Sequence, residues 1–129
     1  ISWGVEDRTA MVRIKDAGEE NCHIEMRAAS GLSNPYLSIA AVIAAGLLGM
    51  QDKGELPKPS EGPSEEDPRH KKLAGSLEEA LAALKKDKAM QEMLGEDFVK
   101  LFTTVKQAEL DRFRSHVTDW ERDEYLELY

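Results

Sequence analysis

The sequence predicts an α+β fold, in which a β-hairpin near the N-terminus is followed by about four helices. Three observations predict it. Apolar and polar residues alternate over residues 10–15 and again over 22–27, with the period of a strand. From residue 34 onward apolar residues recur at helical spacing, and Asn, Ser and Thr stand where helices would begin. The 129 residues, 41% of them hydrophobic, suffice for one modest core.

The predicted hairpin joins strands at 10–15 and 22–27 through the polar, glycine-containing turn 16–21. Since side chains alternate along a strand, the hairpin has two unlike faces. One face is apolar and consists of Val12, Ile14, Cys22, Ile24 and Met26, with Cys22 expected as a small core residue. The other face carries Arg13, His23, Glu25 and Arg27. Two strands are marginal alone, so we expect the hairpin to belong to a larger sheet.

The remaining elements are predicted to be helical. Asn34 and Pro35 suit the start of a helix that runs to Gln51. Because this helix is apolar nearly all round, we expect it to be buried on most sides. Four of the five prolines fall in residues 53–74, which predicts a long surface loop. Helices then follow at about 76–87, as a short turn at 90–94, from about 97 to 113, and from Thr118 onward.

Capping and packing residues support these later helices. Ser76 with Glu79, and Thr118 with Glu121, have the spacing of capping boxes. A stripe of apolar residues in the longest of these helices is expected to form core or subunit contacts, and the last helix is expected to contribute similarly. The stripe is Phe98, Leu101, Phe102, Val105 and Ala108, and the last helix carries Trp120, Tyr125 and Leu128. His70 and His116 are expected at the surface.

Charge and composition narrow the functional classes. The net charge of −8 disfavours nucleic-acid and anionic-membrane binding, since both need a basic face. The longest apolar run, residues 37–50, is too short to span a bilayer. A single Cys22 excludes an internal disulfide and fits a reducing compartment, and the first residues lack a signal-peptide pattern. We therefore expect a cytoplasmic location, and no nucleic-acid or membrane partner.

The strands and the residues just before them hold an unusual set of charges. Arg8, Arg13, Arg27 and His23 accompany one carboxylate, Glu25. Charged groups are costly to bury and are often kept for a ligand. Arginines beside a glutamate suit phosphate, carboxylate and a hard metal ion, and so indicate nucleotide-dependent chemistry on an anionic substrate. One carboxylate cannot build a Mg²⁺ site alone, so further ligands are expected from chain outside this sequence.

A plainer interpretation of the same residues stays open from spacing alone. The arginines could be ordinary ion-pairing residues, and Glu25 could simply pair with Arg13 or Arg27. His23 fits a hydrogen-bonded structural histidine better than a ligand. Residues 1–4 have no initiator Met, and they begin as a chain already inside folded structure. We therefore expect residues 1–129 to be the C-terminal portion of one domain of a longer protein.

Four sequence boxes, taken in order, resemble glutamine synthetase of the class I branch. They are Asp-Arg-Thr-Ala at 7–10, Arg-Ile-Lys at 13–15, His-Ile-Glu-Met-Arg at 23–27 and Asn-Pro-Tyr-Leu at 34–37. The family has Asn-Arg-Ser-Ala, Arg-Ile-Pro, Arg-Ile-Glu-x-Arg and Asn-Pro-Tyr-Leu. Residues 45–50, 75–81 and 117–125 also resemble the family, so the resemblance covers nearly the whole chain. It implies that the chain is the C-terminal part of a glutamine-synthetase-like catalytic domain.

The resemblance implies an activity and a role for each charged residue. The activity is ATP-dependent ligation of ammonia, or another amine, to the γ-carboxyl of glutamate through γ-glutamyl phosphate, with Mg²⁺ or Mn²⁺. Arg8 would contact the transferring phosphoryl group, ATP and glutamate, and is the candidate catalytic residue. Arg13 and His23 would contact ATP phosphates, Glu25 would ligate the metal, and Arg27 would hold glutamate. The resemblance also implies a homo-oligomer of stacked rings, and a segment that is inactive alone.

Two departures from the family pattern leave the accepted amine open. His23 stands where the family has Arg, which weakens one phosphate contact or makes it pH-dependent. Asp7 stands where the family has Asn, which adds a negative charge beside the phosphate site. Both fit a γ-glutamyl ligase for a polyamine or alkylamine. A non-catalytic structural relative of the family also stays open and, more weakly, so does a free-standing helical module.

Overall fold

The computed structural model, which describes residues 1–126, has three strands and a long helix in residues 1–74 and four helices after Gly75. These two stretches form separate compact units. The first contains β1 Trp3–Val5, β2 Val12–Lys15, β3 His23–Met26 and α1 Pro35–Asp52. The second contains α2 Leu77–Lys86, α3 Lys88–Leu94, α4 Glu96–Arg114 and α5 Asp119–Tyr125. The α+β class is confirmed.

The sheet has the order β1-β2-β3, with β1 parallel and β3 antiparallel to β2. The predicted hairpin is therefore confirmed, and β1 adds the third strand that the sequence did not indicate. Strand β1 has three residues, one of them a glycine, and is too short to show the alternation of apolar and polar side chains that predicts a strand. Gly4 in β1 is buried, and a Cβ there would lie 2.8 Å from the Cβ of Asp7. A side chain at this position would push the following turn away from the strand.

The apolar face of the hairpin is more exposed than expected. Ile24 keeps 59% of its surface exposed, whereas Arg13 on the charged face keeps 9%. The prediction that Cys22 is a core residue is wrong, since its side chain is exposed. Cys22 lies just before β3, at the end of a turn that solvent surrounds. Arg13 is therefore better covered than Ile24, while His23 and Arg27 of the charged face are exposed.

Helix α1 has the predicted bounds and the predicted cap. The side-chain oxygen of Asn34 accepts hydrogen bonds from the backbone N–H groups of Tyr36 (3.0 Å) and Leu37 (3.5 Å). The prediction that α1 is buried on most sides is wrong for residues 1–126, where Ala44 is its buried residue. Its apolar side chains surround the helix, and this stretch supplies too little structure to cover them. By length and composition α1 could also cross a membrane, a criterion that core helices of soluble proteins meet as well.

The second unit has a small core between α2, α3 and α4. Its buried residues are Leu81 of α2, and Val99 and Thr103 of α4. The Ser76 hydroxyl caps α2 by accepting a hydrogen bond from Glu79 N (3.1 Å). The reciprocal bond of the predicted box is replaced, because the Glu79 carboxylate accepts one from Gly75 N (2.8 Å) instead.

The predicted apolar stripe of α4 is mostly exposed. Leu101 keeps 64% of its surface exposed and Val105 keeps 48%. The buried residues of α4 are instead Val99 and Thr103, and α4 contacts α2 and α3. A core role is therefore wrong for Leu101 and Val105, while a subunit-contact role stays a prediction.

Helix α5 begins with the predicted capping box. The Thr118 hydroxyl accepts a hydrogen bond from Glu121 N (3.2 Å), and Glu121 Oε2 accepts one from Thr118 N (2.7 Å). The bonds that Thr118 N and Thr118 Oγ1 donate to the Glu121 carboxylate lower the pKa of Glu121. Trp120 and Tyr125 pack edge to face at 6.1 Å and remain exposed. Leu128, also predicted for this helix, lies outside the described residues.

Candidate active site

The register of β2 and β3 places two of the predicted site residues directly opposite each other. Arg13 lies across from Glu25, and its Nη1 donates to Glu25 Oε2 at 3.2 Å. Arg27 follows β3, and its Nη1 lies 3.7 Å from the same carboxylate oxygen. Glu25 therefore sits between two guanidinium groups, on the face predicted to carry them. The ion pairs of Glu25 with Arg13 and Arg27, which the interpretation as ordinary ion-pairing residues expects, are therefore present as well.

A second carboxylate, Glu6, joins this group. Its Oε2 accepts hydrogen bonds from Arg13 Nη2 (2.5 Å) and Lys15 Nζ (2.8 Å). Bonds from Lys15 and Arg13 lower the pKa of Glu6, and the bond to Glu6 raises the pKa of Arg13 despite the desolvation of the guanidinium. Sequence reasoning missed Glu6 because only the parallel pairing of β1 with β2 brings it beside Arg13.

The backbone at Glu6 has an uncommon conformation. Its φ is +54°, in the left-handed region that non-glycine residues seldom adopt. Glu6 N donates to Ile14 O at 2.9 Å, which extends the pairing of β1 with β2 past Val5. The chain thus turns sharply after β1 while the Glu6 carboxylate remains beside Arg13. Such strained residues cluster at functional sites.

Arg13 is the most enclosed charge of the group. It is 9% exposed, and both terminal nitrogens of its guanidinium are bonded to carboxylates. Its Nε is buried without a hydrogen-bond partner among the described residues. A buried donor without a partner costs free energy.

Arg8 and Arg27 line one open cavity of about 830 Å³ in the first unit. One wall comes from residues 8–11 and 27–28, and the other from residues 64–68 and 70–73. The second wall adds Lys71 and Lys72 but also Glu65 and Glu66, so the cavity has mixed charge. Two guanidinium groups at one cavity can bind an anionic substrate such as a carboxylate or phosphate.

Asp7, which stands where the family box has Asn, accepts three hydrogen bonds. Its Oδ1 accepts from Thr9 N and Thr9 Oγ1, each at 2.7 Å, and its Oδ2 accepts from Ser64 Oγ at 2.9 Å. The bonds from Thr9 lower the pKa of Asp7, so the carboxylate is ionised at neutral pH. The negative charge expected here is present, and its oxygens are engaged by Thr9 and Ser64.

His23 stands apart from the cavity. It pairs with Lys15 in the sheet register, its side chain is exposed, and its Nδ1 lies 2.8 Å from Asn21 O. The structure thus shows a locally bonded histidine and does not bring it to the cavity beside Arg8 and Arg27. Its role toward ATP stays a prediction.

The segment 53–74 contributes residues that sequence reasoning missed. Ser64 is 5% exposed, and the side chain of His70, expected at the surface, is 16% exposed. His70 Nδ1 lies 3.1 Å from Ser64 O, and Arg69 pairs with Asp67 at 2.5 Å, which lowers the pKa of Asp67. The prolines and charges of this segment correctly predicted the absence of helix and strand there, but gave no sign of these contacts.

A complete metal site is not formed by residues 1–126. Within that range no group of three or more His, Cys, Asp or Glu side chains could hold a metal ion. Glu25 offers carboxylate oxygens of the type that Mg²⁺ prefers, but Arg13 and Arg27 already neighbour them. The described residues therefore do not by themselves fit a divalent ion.

Comparison with known proteins gives a consistent picture. The family model described as "Glutamine synthetase, catalytic domain" matches residues 1–125. The chain is 36% identical to a glutamine synthetase of Halobacterium salinarum over 136 residues, covering 100% of this chain and 30% of that protein. It is 35% identical to lengsin of Canis lupus familiaris over 129 residues, covering 99% of this chain and 22% of the relative. The chain thus spans less than a third of the length of these relatives.

A solved structure has the same fold. The structure titled "Apo GmaS without ligand" superposes with a TM-score of 0.83 at 30% sequence identity. The match covers 98% of this chain and 30% of that chain.

Proposed function

Because the chain belongs to the glutamine synthetase catalytic-domain family, we propose that the native protein containing it is an ATP-dependent glutamate–amine ligase. The reaction joins ammonia to the γ-carboxyl of glutamate through γ-glutamyl phosphate. The observation that carries this proposal is the shared cavity of Arg8 and Arg27, next to the Arg13–Glu25 pair. We expect residues 1–129 alone to be inactive, because the described residues 1–126 do not form a complete metal site.

Arg8 and Arg27 are assigned to the two anionic groups that react. Phosphoryl transfer depends on positioning and on neutralising the charge of the transferring group. Arg8 in the cavity wall would stabilise that group, and Arg27 would hold the glutamate carboxylate as a guanidinium fork does. Both arginines line the same cavity, and phosphoryl transfer to glutamate requires that the phosphoryl group and glutamate lie in one site.

Arg13, Glu25 and His23 are assigned to the nucleotide. Arg13 is assigned to an ATP phosphate from the family resemblance, and its guanidinium is bonded to Glu6 and Glu25 in the described residues. Glu25 would supply one carboxylate ligand to Mg²⁺ or Mn²⁺, with the remaining ligands outside residues 1–126. His23 is the weakest member of the group, because its side chain is exposed and bonded to Asn21 O.

The amine is the open part of the proposal. Asp7 and His23 depart from the family pattern: Asp7 adds a negative charge next to Arg8 in the sequence, and His23 replaces an arginine. A ligase for an alkylamine or polyamine is therefore the second candidate. A non-catalytic structural relative is the third, and the survival of Arg8, Arg13, Glu25 and Arg27 together counts against it.

The assembly and location remain proposals as well. A homo-oligomer of stacked rings would cover some of the exposed apolar side chains of α1, such as Ile39 and Ile43. The single, exposed Cys22 is compatible with a cytoplasmic location. We propose no nucleic-acid or membrane partner.

The test is an ADP-release assay on the native protein with ATP, Mg²⁺ and glutamate, run with ammonia and with a panel of alkylamines and polyamines. We expect amine-dependent turnover, and Glu25→Ala and Arg27→Ala should each lower kcat/KM by about 10²–10³-fold through lost charge stabilisation. Arg112→Ala, at an exposed arginine of α4, is the matched control and should leave turnover unchanged. Absence of turnover with every amine, from a correctly assembled protein, would overturn the ligase proposal.

A further inference from the structure

Ser64 is a junction between the loop 53–74 and the residues around Arg8. It is 5% exposed, although it lies in a segment that is otherwise mostly exposed. Its backbone N–H donates to Thr9 Oγ1 at 2.7 Å, and its hydroxyl donates to Asp7 Oδ2 at 2.9 Å. Its carbonyl lies 3.1 Å from His70 Nδ1. Both its backbone and its side chain therefore bind other parts of the unit.

These bonds close a ring around the backbone of Arg8. Asp7 accepts hydrogen bonds from Thr9 through one carboxylate oxygen and from Ser64 through the other. Thr9 in turn accepts one from Ser64. Asp7 and Thr9, which both belong to the ring, flank Arg8 in the sequence. Their bonds therefore restrict the direction in which the Arg8 side chain leaves the backbone.

The ring also ties together both walls of the cavity. Arg8 belongs to one wall, and Ser64 with the residues that follow it belongs to the other. A second contact supports the same attachment, since Ser60 N donates to Trp3 O at 2.9 Å and Trp3 Nε1 donates to Pro57 O at 2.8 Å. The loop therefore cannot leave the N-terminal residues without breaking the bonds of Ser64.

The chemistry of the ring depends on aspartate at position 7. A carboxylate accepts hydrogen bonds at both oxygens, whereas an asparagine amide has one accepting oxygen. With Asn at this position, as in the family box, one of the two oxygens that accept from Thr9 and Ser64 would be replaced by an NH2 group, which donates instead. The bond that the Ser64 hydroxyl donates to Asp7 Oδ2 therefore depends on aspartate at this position.

We propose that Ser64 is a positioning residue, which acts through Asp7 and Thr9 to hold Arg8 in the cavity and to keep the 64–73 wall closed against it. The role assigned to Arg8 rests on the proposed function. The ring itself rests only on the hydrogen bonds. Losing the Ser64 hydroxyl should loosen the loop and misplace Arg8, which reduces the rate of phosphoryl transfer more than it weakens substrate binding.

The experiment uses the native protein with Ser64→Ala, Asp7→Asn and the double variant. Limited trypsin digestion reports on the loop, because Lys53, Arg69 and Lys71 are cleavage sites within it. Steady-state kinetics separates kcat from KM. We expect Ser64→Ala to speed cleavage in the loop several-fold and to lower kcat by about 10- to 100-fold, with a smaller change in KM for ATP, as misplacement of a reacting group predicts.

The double variant tests whether Ser64 acts through Asp7. We expect it to be no worse than the more impaired single variant, since the two residues share one bond. Asp7→Asn preserves the shape of the side chain and so tests the ring even if Ser64→Ala folds poorly. Ser115→Ala, which removes a hydroxyl bonded within α4, is the matched control and should change neither readout.

Three results would overturn the inference. They are unchanged cleavage of the loop in Ser64→Ala, a kcat within twofold of the unaltered protein, and additive effects in the double variant. If the unaltered protein turns over no amine, the proposed function fails, and the digestion rates alone then decide whether the ring holds the loop.

Discussion

The two units of the chain differ in what holds them together. In residues 1–74 the described contacts are mainly ion pairs and hydrogen bonds between distant residues, such as Arg13 with Glu6 and Ser64 with Asp7. The unit from Gly75 onward relies on capped helices and a small core that includes Leu81 and Val99. The first unit carries charge at a cavity, and the second carries none of the predicted site residues. The predicted site residues and the helical core therefore lie in different stretches of this chain.

The largest effect should come from the core of the second unit. Leu81 is 3% exposed, so Leu81→Ala should lower the free energy of unfolding by about 2–5 kcal/mol through lost burial and a residual cavity. Turnover at temperatures where the protein is folded should not change. Denaturant unfolding of the native protein, with kcat measured in parallel, checks both expectations.

Leu101→Ala is the matched control, because Leu101 is 64% exposed in α4. An exposed substitution should change the free energy of unfolding by no more than about 0.5 kcal/mol. If the Leu101 variant loses as much stability as the Leu81 variant, Leu101 is covered in the native assembly. The second unit would then not be self-contained, which would contradict the proposed difference between the two units.

A smaller effect should distinguish the two units at acidic pH, through the stability that each unit loses there. The pKa values of Glu6 and Asp7 are lowered in the folded chain, chiefly by bonds from Lys15 and Thr9. A group whose pKa is lowered by folding stabilises the protein above its unfolded pKa, here 4.5 for Glu6 and 3.8 for Asp7. That stability is lost as the pH falls from about these values through the lower folded pKa.

Hydrogen exchange resolved by peptide can follow both units in the native protein. After correction for the intrinsic rate at each pH, protection of β1 and β2 should fall at a higher pH than protection of α2 and α4. Asp7→Asn should make the acid loss in the first unit shallower, because one titrating group is gone. Equal acid sensitivity of the two units would contradict the account.

The elements that local sequence determines were predicted well. Asn34 and Pro35 fixed the start of α1, and alternation gave the face that Arg13 and Glu25 share. Helix caps at Ser76 and Thr118 were also predicted correctly. These features depend on residues within four or so positions of one another, and a sequence shows such spacing directly.

What sequence reasoning missed depends on distant residues. Ser64 and Asp7 are 57 positions apart, and no local pattern links them. Glu6 reaches Arg13 only because β1 pairs with β2, and β1 is too short to recognise. The burial expected for α1 was wrong because helix composition shows which surface needs a partner, but not whether residues 1–126 provide one.

The central claim is that the charged cavity of the first unit supports phosphoryl transfer to glutamate. The most direct test is positional isotope exchange in ATP labelled with ¹⁸O at the β,γ-bridge, with the native protein, Mg²⁺ and glutamate but no amine. Reversible formation of γ-glutamyl phosphate would scramble the label, and the account predicts glutamate-dependent scrambling that Arg8→Ala abolishes and Arg112→Ala preserves. Absence of scrambling, together with absence of turnover when amines are added, would contradict it.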